Sequence, residues 1–478
     1  MDAATIKGPF EITAAPPPRG ALASLSFAIL LSSLGTSIAN VALPTFMLAF
    51  GASFQNVQWI VVAYLLALTS LSVIAGRLGD IFGRKRLLLS GFLLFSAASL
   101  LCGFATTLPW LIGARLAQGA GAAILMAMAM ALAADIAPKE KAGSMMGLLG
   151  TMSAAGTALG PVLGGLLISW LNWQAIFLAA APAGALGLVL AHRFIPGGNP
   201  SSRKAPPFDV AGGVVLVMTL AAYALAMTGQ KAGLVVHPGI LLGAALALSA
   251  LFVLVEKRAA APLISVETLR TPLLGSGLAM SALVSTVMMA TLVVGPFYLA
   301  YALGLGAAAT GLVLAAGPVV AATTGFFGGK LVDRYGPRLI TAGGLAAVAA
   351  GSGALAALPI AAGVTGYLAA MVTMTAGYAL FQAANNTAVL TGMAPDRRGL
   401  ASGLLNLSRN FGLVTGASVL GAIFAHSAGT ADIGAADPAT LSAAMRLTFG
   451  IAAGLGSVAL AIGVLVRRMP QKSVCEPR

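Results

Sequence analysis

The stretch Gly76-Arg77-Leu78-Gly79-Asp80-Ile81-Phe82-Gly83-Arg84-Lys85-Arg86 holds the densest group of reactive side chains in this sequence. A second version stands 253 positions further on (76 to 329), as Gly329-Lys330-Leu331-Val332-Asp333-Arg334-Tyr335-Gly336-Pro337-Arg338. Glycine permits a tight turn and close helix approach. Asp80 and Asp333 are acceptors able to face a helix N-terminus or an arginine, and Arg84 and Arg338 are candidate partners. The chemistry on offer is the making and breaking of ion pairs. Bond-breaking chemistry has no comparable set: His192, His237 and His426 are scattered, and so are the two cysteines, Cys102 and Cys475. No nucleophile–base pair or metal cluster emerges from that spacing, so no enzyme, metal or cofactor is expected.

A second class of candidates lies inside long apolar runs. Arg115 stands alone among hydrophobic residues, with Gln118 three positions on and therefore on the same helix face. An arginine at a helix centre costs about 3 kcal/mol on insertion scales, so it is expected to face a cavity or a partner. Arg409 has Asn406 three residues before it, and lies nearer a span end, where snorkelling is the alternative. Gln382, Asn385 and Asn386 form a polar cluster that either lines a pathway or bonds neighbouring helices. Gly156, Gly160 and Gly164 recur every four residues and give one smooth face for close packing in lipid, with Pro161 as a bend.

These residues are positioned by membrane helices. Hydrophobic residues make up 59% of the chain and charged residues 8%, against roughly 25% charged in ordinary globular chains. Many runs reach the roughly 20 apolar residues that cross a bilayer. They are too long, and alternate too little, for barrel strands, so the class is an all-α polytopic membrane protein. The net charge of +14 is topological and implies no nucleic-acid partner. With the N-terminus inside, every Lys and Arg except Arg115, Lys231, Arg409 and Arg446 falls on one side. This is the positive-inside pattern with both termini cytoplasmic. The first apolar run reads as a retained helix, not a signal peptide.

Fourteen spans are expected. A tail (1–23) precedes a six-helix bundle (24–194), a Pro/Gly/Ser-rich linker (195–209) and a helix pair (210–256). A second linker (257–272), a second six-helix bundle (273–467) and a tail (468–478) follow. Each charged turn falls between the second and third span of its bundle. The halves are thus duplicates in register and the middle pair is an insertion, with a monomer sufficient.

The first charged turn resembles the signature of the major facilitator superfamily, Gly-x-Leu-x-Asp-Arg-x-Gly-Arg-Lys, departing from it at Ile81. Arg115-Leu116-Ala117-Gln118-Gly119 looks like that family's fourth-helix motif. Gly156 through Gly165 looks like the fifth-helix motif associated with antiporters. Asn40-Val41-Ala42-Leu43-Pro44, Gln58-Trp59 and Tyr64, together with Ala401 through Asn406 and Arg409, resemble the fourteen-helix drug:proton antiporter branch. The resemblance implies a major facilitator fold around one central site, in a bacterial inner membrane. It implies small-molecule efflux of multidrug type by alternating access, with protons as coupling ion. Asp80 and Arg84, with Asp333 and Arg338, become gate residues. Asn40, Tyr64, Arg115, Gln118, Gln382, Asn385, Asn386, Asn406 and Arg409 become pathway residues. Gly156, Gly160, Pro161, Gly164 and Gly165 become a sealed contact between halves.

The usual proton carrier is missing. The branch commonly places an aspartate in helix one, where this sequence has Gly35. None of the 13 acidic residues falls at mid-membrane. Three explanations stay open: Asp135 titrates at the inner end of its span, the cargo carries its own charge, or transport runs as uniport. A positive cavity favours anionic or neutral cargo. A sensor or partner-binding protein would need a larger soluble domain than these loops provide.

Overall fold

A computed structural model of the protein describes residues 19–136, 142–195, 210–228, 238–258, 271–393, 398–429 and 436–467. The first half holds α1 (Arg19–Val41), α2 (Leu43–Phe50), α3 (Phe54–Phe82), α4 (Arg84–Gly103), α5 (Leu108–Ile136), α6 (Ala142–Trp170), α7 (Ala175–Leu178) and α8 (Ala180–Phe194). A pair follows, α9 (Val210–Thr228) and α10 (Pro238–Arg258). The second half holds α11 (Pro272–Phe297), α12 (Ala307–Tyr335), α13 (Pro337–Ala356), α14 (Gly363–Thr391), α15 (Arg398–Thr415), α16 (Gly421–Ser427) and α17 (Pro438–Arg467). Wider π turns extend α11 over Tyr298–Ala302 and join α15 to α16 over Gly416–Leu420. The tail 468–478 and most of the tail 1–23 and of both linkers lie outside the described residues.

Among the described residues, thirteen helical segments are long and apolar enough to cross a membrane. α9 contributes a shorter apolar stretch, Ala211–Tyr223. The expected first span is broken: α1 stops at Val41 and α2 restarts with Pro44 in its first turn, where the missing N–H is tolerated.

The duplication is visible as one packing scheme used twice. In the first half α1 packs on α6, α3 on α5, and α4 on α5 and α8. In the second, α11 packs on α15, α12 on α14, and α13 on α14 and α17. α10 lies against α9, and α9 against α3. α9 also reaches the second half, where the Tyr223 hydroxyl donates to Thr415 Oγ1 at 3.1 Å and its ring lies 5.3 Å from that of Phe411.

The charged turns are tighter than the sequence suggests. α3 runs on through Phe82 and α12 through Tyr335, so one residue reverses the chain in each half: Gly83 (φ 92°) and Gly336 (φ 81°). Only glycine adopts such angles freely. Asp80 and Asp333 therefore belong to last helical turns, not to loops. The final helix runs past a charge. α17 starts at Pro438 and carries Arg446 inside it, because the Arg446 Nε donates to the Ala356 carbonyl at the end of α13 (3.0 Å). A cation at a helix C-terminus is well placed, so it does not end the span.

Candidate functional site

A cavity lies between the two halves. Its outer part, about 390 Å³, is bordered by Met130, Leu149 and Ser153 of the first half and by Gln382, Asn386, Asn406 and Arg409 of the second. A deeper pocket of about 210 Å³ shares Met126, Ser153, Ala321, Tyr378 and Arg409 with it. That pocket adds Ser32, Ser33, Thr36, Thr375 and Asn410, and a wall that includes Met288, Met289 and Met371. Leu149 sits early in α6 and Leu390, also on the wall, ends α14. The cavity therefore widens toward the charged turns. The opposite end is closed. Phe54 meets Phe297 edge-on at 4.7 Å and Phe424 at 5.9 Å, joining α3 to the second half. The Tyr301 hydroxyl donates to the Pro44 carbonyl at 3.5 Å.

Four of the nine expected pathway residues border this space: Gln382, Asn386, Asn406 and Arg409. The other five are placed elsewhere. Arg115 is fully buried and works as a tie between helices. Its Nε donates to the Ile60 carbonyl (3.0 Å), one Nη to Gln118 Oε1 (2.6 Å) and the other to the Gly35 carbonyl (3.0 Å). Its guanidinium lies 4.1 Å from the Tyr64 ring centre. Gln118 passes the chain on to Ser99 Oγ (2.7 Å), and the buried Tyr64 hydroxyl donates to the Ser32 carbonyl (2.7 Å). Asn385 is buried and donates to the Gly277 carbonyl (3.1 Å), joining α14 to α11. Asn40 is buried and donates back to the Thr36 carbonyl (3.1 Å). Helix–helix ties satisfy a polar group in lipid as well as water does; the Asn40 Oδ1 alone of these has no partner among the described residues.

The place of the missing helix-one acid is occupied. A Cβ at Gly35 would stand 2.6 Å from the Tyr64 hydroxyl. The Gly35 carbonyl itself accepts from Arg115 at 3.0 Å. Gly35→Ala is expected to cost about 1–3 kcal/mol by overpacking, read as a lowered unfolding midpoint of the purified protein.

The glycine face divides in two. Cβ atoms at Gly156, Gly160 and Gly164 would collide with Leu30, Ser37, Ile38 and Val41 of α1. These three glycines thus seal α6 onto α1 within the first half, not across halves. The cross-half contact belongs to their neighbours. A Cβ at Gly165 would lie 2.6 Å from the Ala307 carbonyl, and one at Gly311 would lie 2.3 Å from the Pro161 carbonyl. The sequence signal at Gly311 was one glycine among 59 and pointed nowhere.

At the charged end, the Asp80 side chain lies outside the described residues. Arg84 pairs with Asp135 at 2.5 Å and also donates to the Ala131 carbonyl at 3.3 Å, both on α5 of its own half. Asp135 is half-exposed in this pair, one to two turns beyond the cavity-lining Met130. Asp333 and Arg338 are exposed on either side of Gly336. The residues missed by sequence reasoning are hydroxyls, Ser32, Ser33, Thr36, Ser153 and Thr375, together with Asn410 and the methionines. Ser33 and Ser153 join α1 to α6 at 2.8 Å.

Two helical bundles wired alike and enclosing one cavity define a membrane transporter of the duplicated type. Comparison with known proteins agrees. A profile of the Major Facilitator Superfamily matches residues 25–417, and the chain belongs to that family. It is similar to the uncharacterized transporter YebQ of Escherichia coli, at 32% identity over 84% of this chain and 88% of that one. It is similar to the riboflavin transporter RibZ of Clostridioides difficile, at 26% identity over 93% and 97%. It is also similar to the multidrug efflux pump LfrA of Mycolicibacterium smegmatis, at 30% identity over 84% and 80%. The protein is an integral membrane transporter and not an enzyme.

Proposed function

We propose that this protein exports small amphiphilic molecules from the cytoplasm across a bacterial inner membrane by alternating access. Anionic and neutral cargo would be preferred to cations. The carrying observation is the cavity itself. Both halves build it, its walls are apolar with small hydroxyls and carboxamides, and Arg409 is the one charged side chain bordering it among the described residues. LfrA is named a multidrug efflux pump and RibZ a riboflavin transporter, which supports small-molecule cargo. The positive-inside pattern makes the charged end cytoplasmic, so the cavity described here faces inward. α9 and α10 are read as the inserted pair of the fourteen-helix, proton-coupled branch.

For coupling, we place the exchangeable proton on Asp135. It is half-exposed, next to the cytoplasm-facing cavity, and its ion partner Arg84 stands beside the turn at Gly83. Surface-exposed ion pairs contribute roughly 0–1 kcal/mol. Asp135→Asn is therefore expected to change stability by less than about 1 kcal/mol while abolishing export driven by a pH gradient. A variant that still follows the pH gradient would move the coupling to the cargo's own charge.

The whole reading is tested in proteoliposomes with imposed pH and voltage gradients and size-matched anionic, neutral and cationic probes. Export of the anionic and neutral probes is expected. Robust electrogenic expulsion of a dication would overturn the cargo preference.

A further inference from the structure

Two arginines carried on long apolar helices are satisfied by the protein itself. Arg115 has a carbonyl or carboxamide oxygen for three separate nitrogens. Arg446 has the Ala356 carbonyl. Arg409 is treated differently. Its Nε is buried with no hydrogen-bond partner, and among the described residues nothing pairs with its guanidinium. A snorkelling arginine would turn toward the membrane surface and rest among headgroups. Arg409 instead shares its wall with Met126 and Ser153 of the other half and borders both parts of the cavity.

Its surroundings are those of an anion receptor. Asn406 and Asn410 flank it on α15, and Gln382 and Asn386 face the same space from α14. These are neutral carboxamides with N–H donors to offer, and among the described residues no carboxylate borders the space. The rest of the lining is apolar: Met126 and Met288, with the more deeply buried Met289 and Met371, give the deeper part a polarizable wall that adapts to irregular apolar shapes.

We infer that Arg409 is the recognition site for the head group of a monoanionic amphiphile, a carboxylate or sulfonate whose apolar part lies against the methionine wall. This rests on the exporter reading only in treating the cavity as the cargo site. A guanidinium engages a carboxylate through two parallel N–H···O bonds, and such charge-assisted pairs are roughly twice as strong as neutral ones. A cation of the same shape brings like charges together in a space of low dielectric. A neutral analogue binds through the wall and the amides alone.

The test measures equilibrium binding to the purified full-length protein in nanodiscs of zwitterionic lipid. The probes are 1-naphthylacetate, 1-naphthylacetamide and 2-(1-naphthyl)ethylammonium. The anion is expected to bind at least about ten-fold tighter than the ammonium, a difference of about 1.4 kcal/mol. Arg409→Gln is expected to remove the advantage of the anion over the amide, the anion losing at least about ten-fold more affinity than the amide. Retained amide binding also shows that the variant is folded. Arg409→Lys is expected to keep part of the preference. Inorganic phosphate at the same concentration is expected not to compete, which separates an amphiphile site from a site for bare anions.

Equal binding of anion and ammonium overturns the inference, as does binding of no probe or an equal loss of all three in Arg409→Gln. Equal competition by phosphate overturns the amphiphile part. Transport is scored separately in proteoliposomes. An anion preference in binding without export sinks the exporter reading and leaves Arg409's role intact. Export without anion preference does the reverse.

Discussion

Arg115→Lys is expected to be more damaging than Arg115→Met, although lysine keeps the charge. The guanidinium reaches acceptors on three helices at once: Ile60 on α3, Gly35 on α1 and Gln118 on its own α5. It also lies over the Tyr64 ring, 4.1 Å from its centre. A single ammonium on a flexible stem cannot serve those directions together. Lysine would leave a fully buried charge short of partners, and removing part of a buried charge's solvation costs about 3–5 kcal/mol. Methionine deletes the same bonds but also deletes the charge, so the desolvation penalty disappears with it. What remains is Gln118 without one partner, about 1–3 kcal/mol. The Gly35 and Ile60 carbonyls lie within helices and lose only a second donor. Unfolding midpoints of the three purified proteins should therefore rank wild type, then methionine, then lysine. A lysine variant as stable as wild type would mean that Arg115 acts as a plain charge and not as a three-way tie.

The same residue shows where sequence reading stops. Run lengths and the paired charged turns were enough for an all-helical membrane protein of the family's fold, built from two halves with one packing scheme. A bilayer imposes those features on composition, and composition is visible. Rotation about a helix axis is not. Asn385 and Asn386 are neighbours of one residue type, yet Asn385 is buried against Gly277 and Asn386 faces the cavity. Consecutive residues on a helix point about 100° apart, and nothing in an apolar sequence says which direction is inward. Ser32, Ser33 and Thr36 escaped notice for a related reason. Thr36 donates to the Ser32 carbonyl within its own helix (3.2 Å), so small hydroxyls need no cavity to explain them. The glycine motif was legible as a close-packing face, but its partner was not: a smooth surface fits α1 as well as it fits α12.

That division of the glycines leads to the second large effect. Gly165→Ala and Gly311→Ala are expected to shift the balance between the two transport conformations, whereas Gly156→Ala is expected to leave that balance alone. Each would drive a Cβ into a backbone carbonyl: Ala307 at 2.6 Å, Pro161 at 2.3 Å and Leu30 at 2.4 Å respectively. Backbone cannot rotate aside as a side chain can, so the helices must separate, at about 1–3 kcal/mol per site. The difference lies in which helices are involved. Gly156 packs α6 on α1 inside one bundle, a contact that rigid-body rocking preserves, so both conformations carry the penalty and only fold stability falls. Gly165 and Gly311 pack α6 on α12 across the halves, at the end closed by Phe54, Phe297 and Phe424. In an alternating-access cycle that end must part, so the penalty falls on one conformation only. At about 1.4 kcal/mol per factor of ten, the ratio should move by roughly 5- to 150-fold toward the state open at the far end. Spin labels at the exposed Thr106 and Ile360, on corresponding loops of the two halves at that end, would report it as a longer distance. Equal distances in Gly165→Ala, Gly311→Ala and wild type would show that the α6–α12 contact does not open, and that the two bundles do not rock about it.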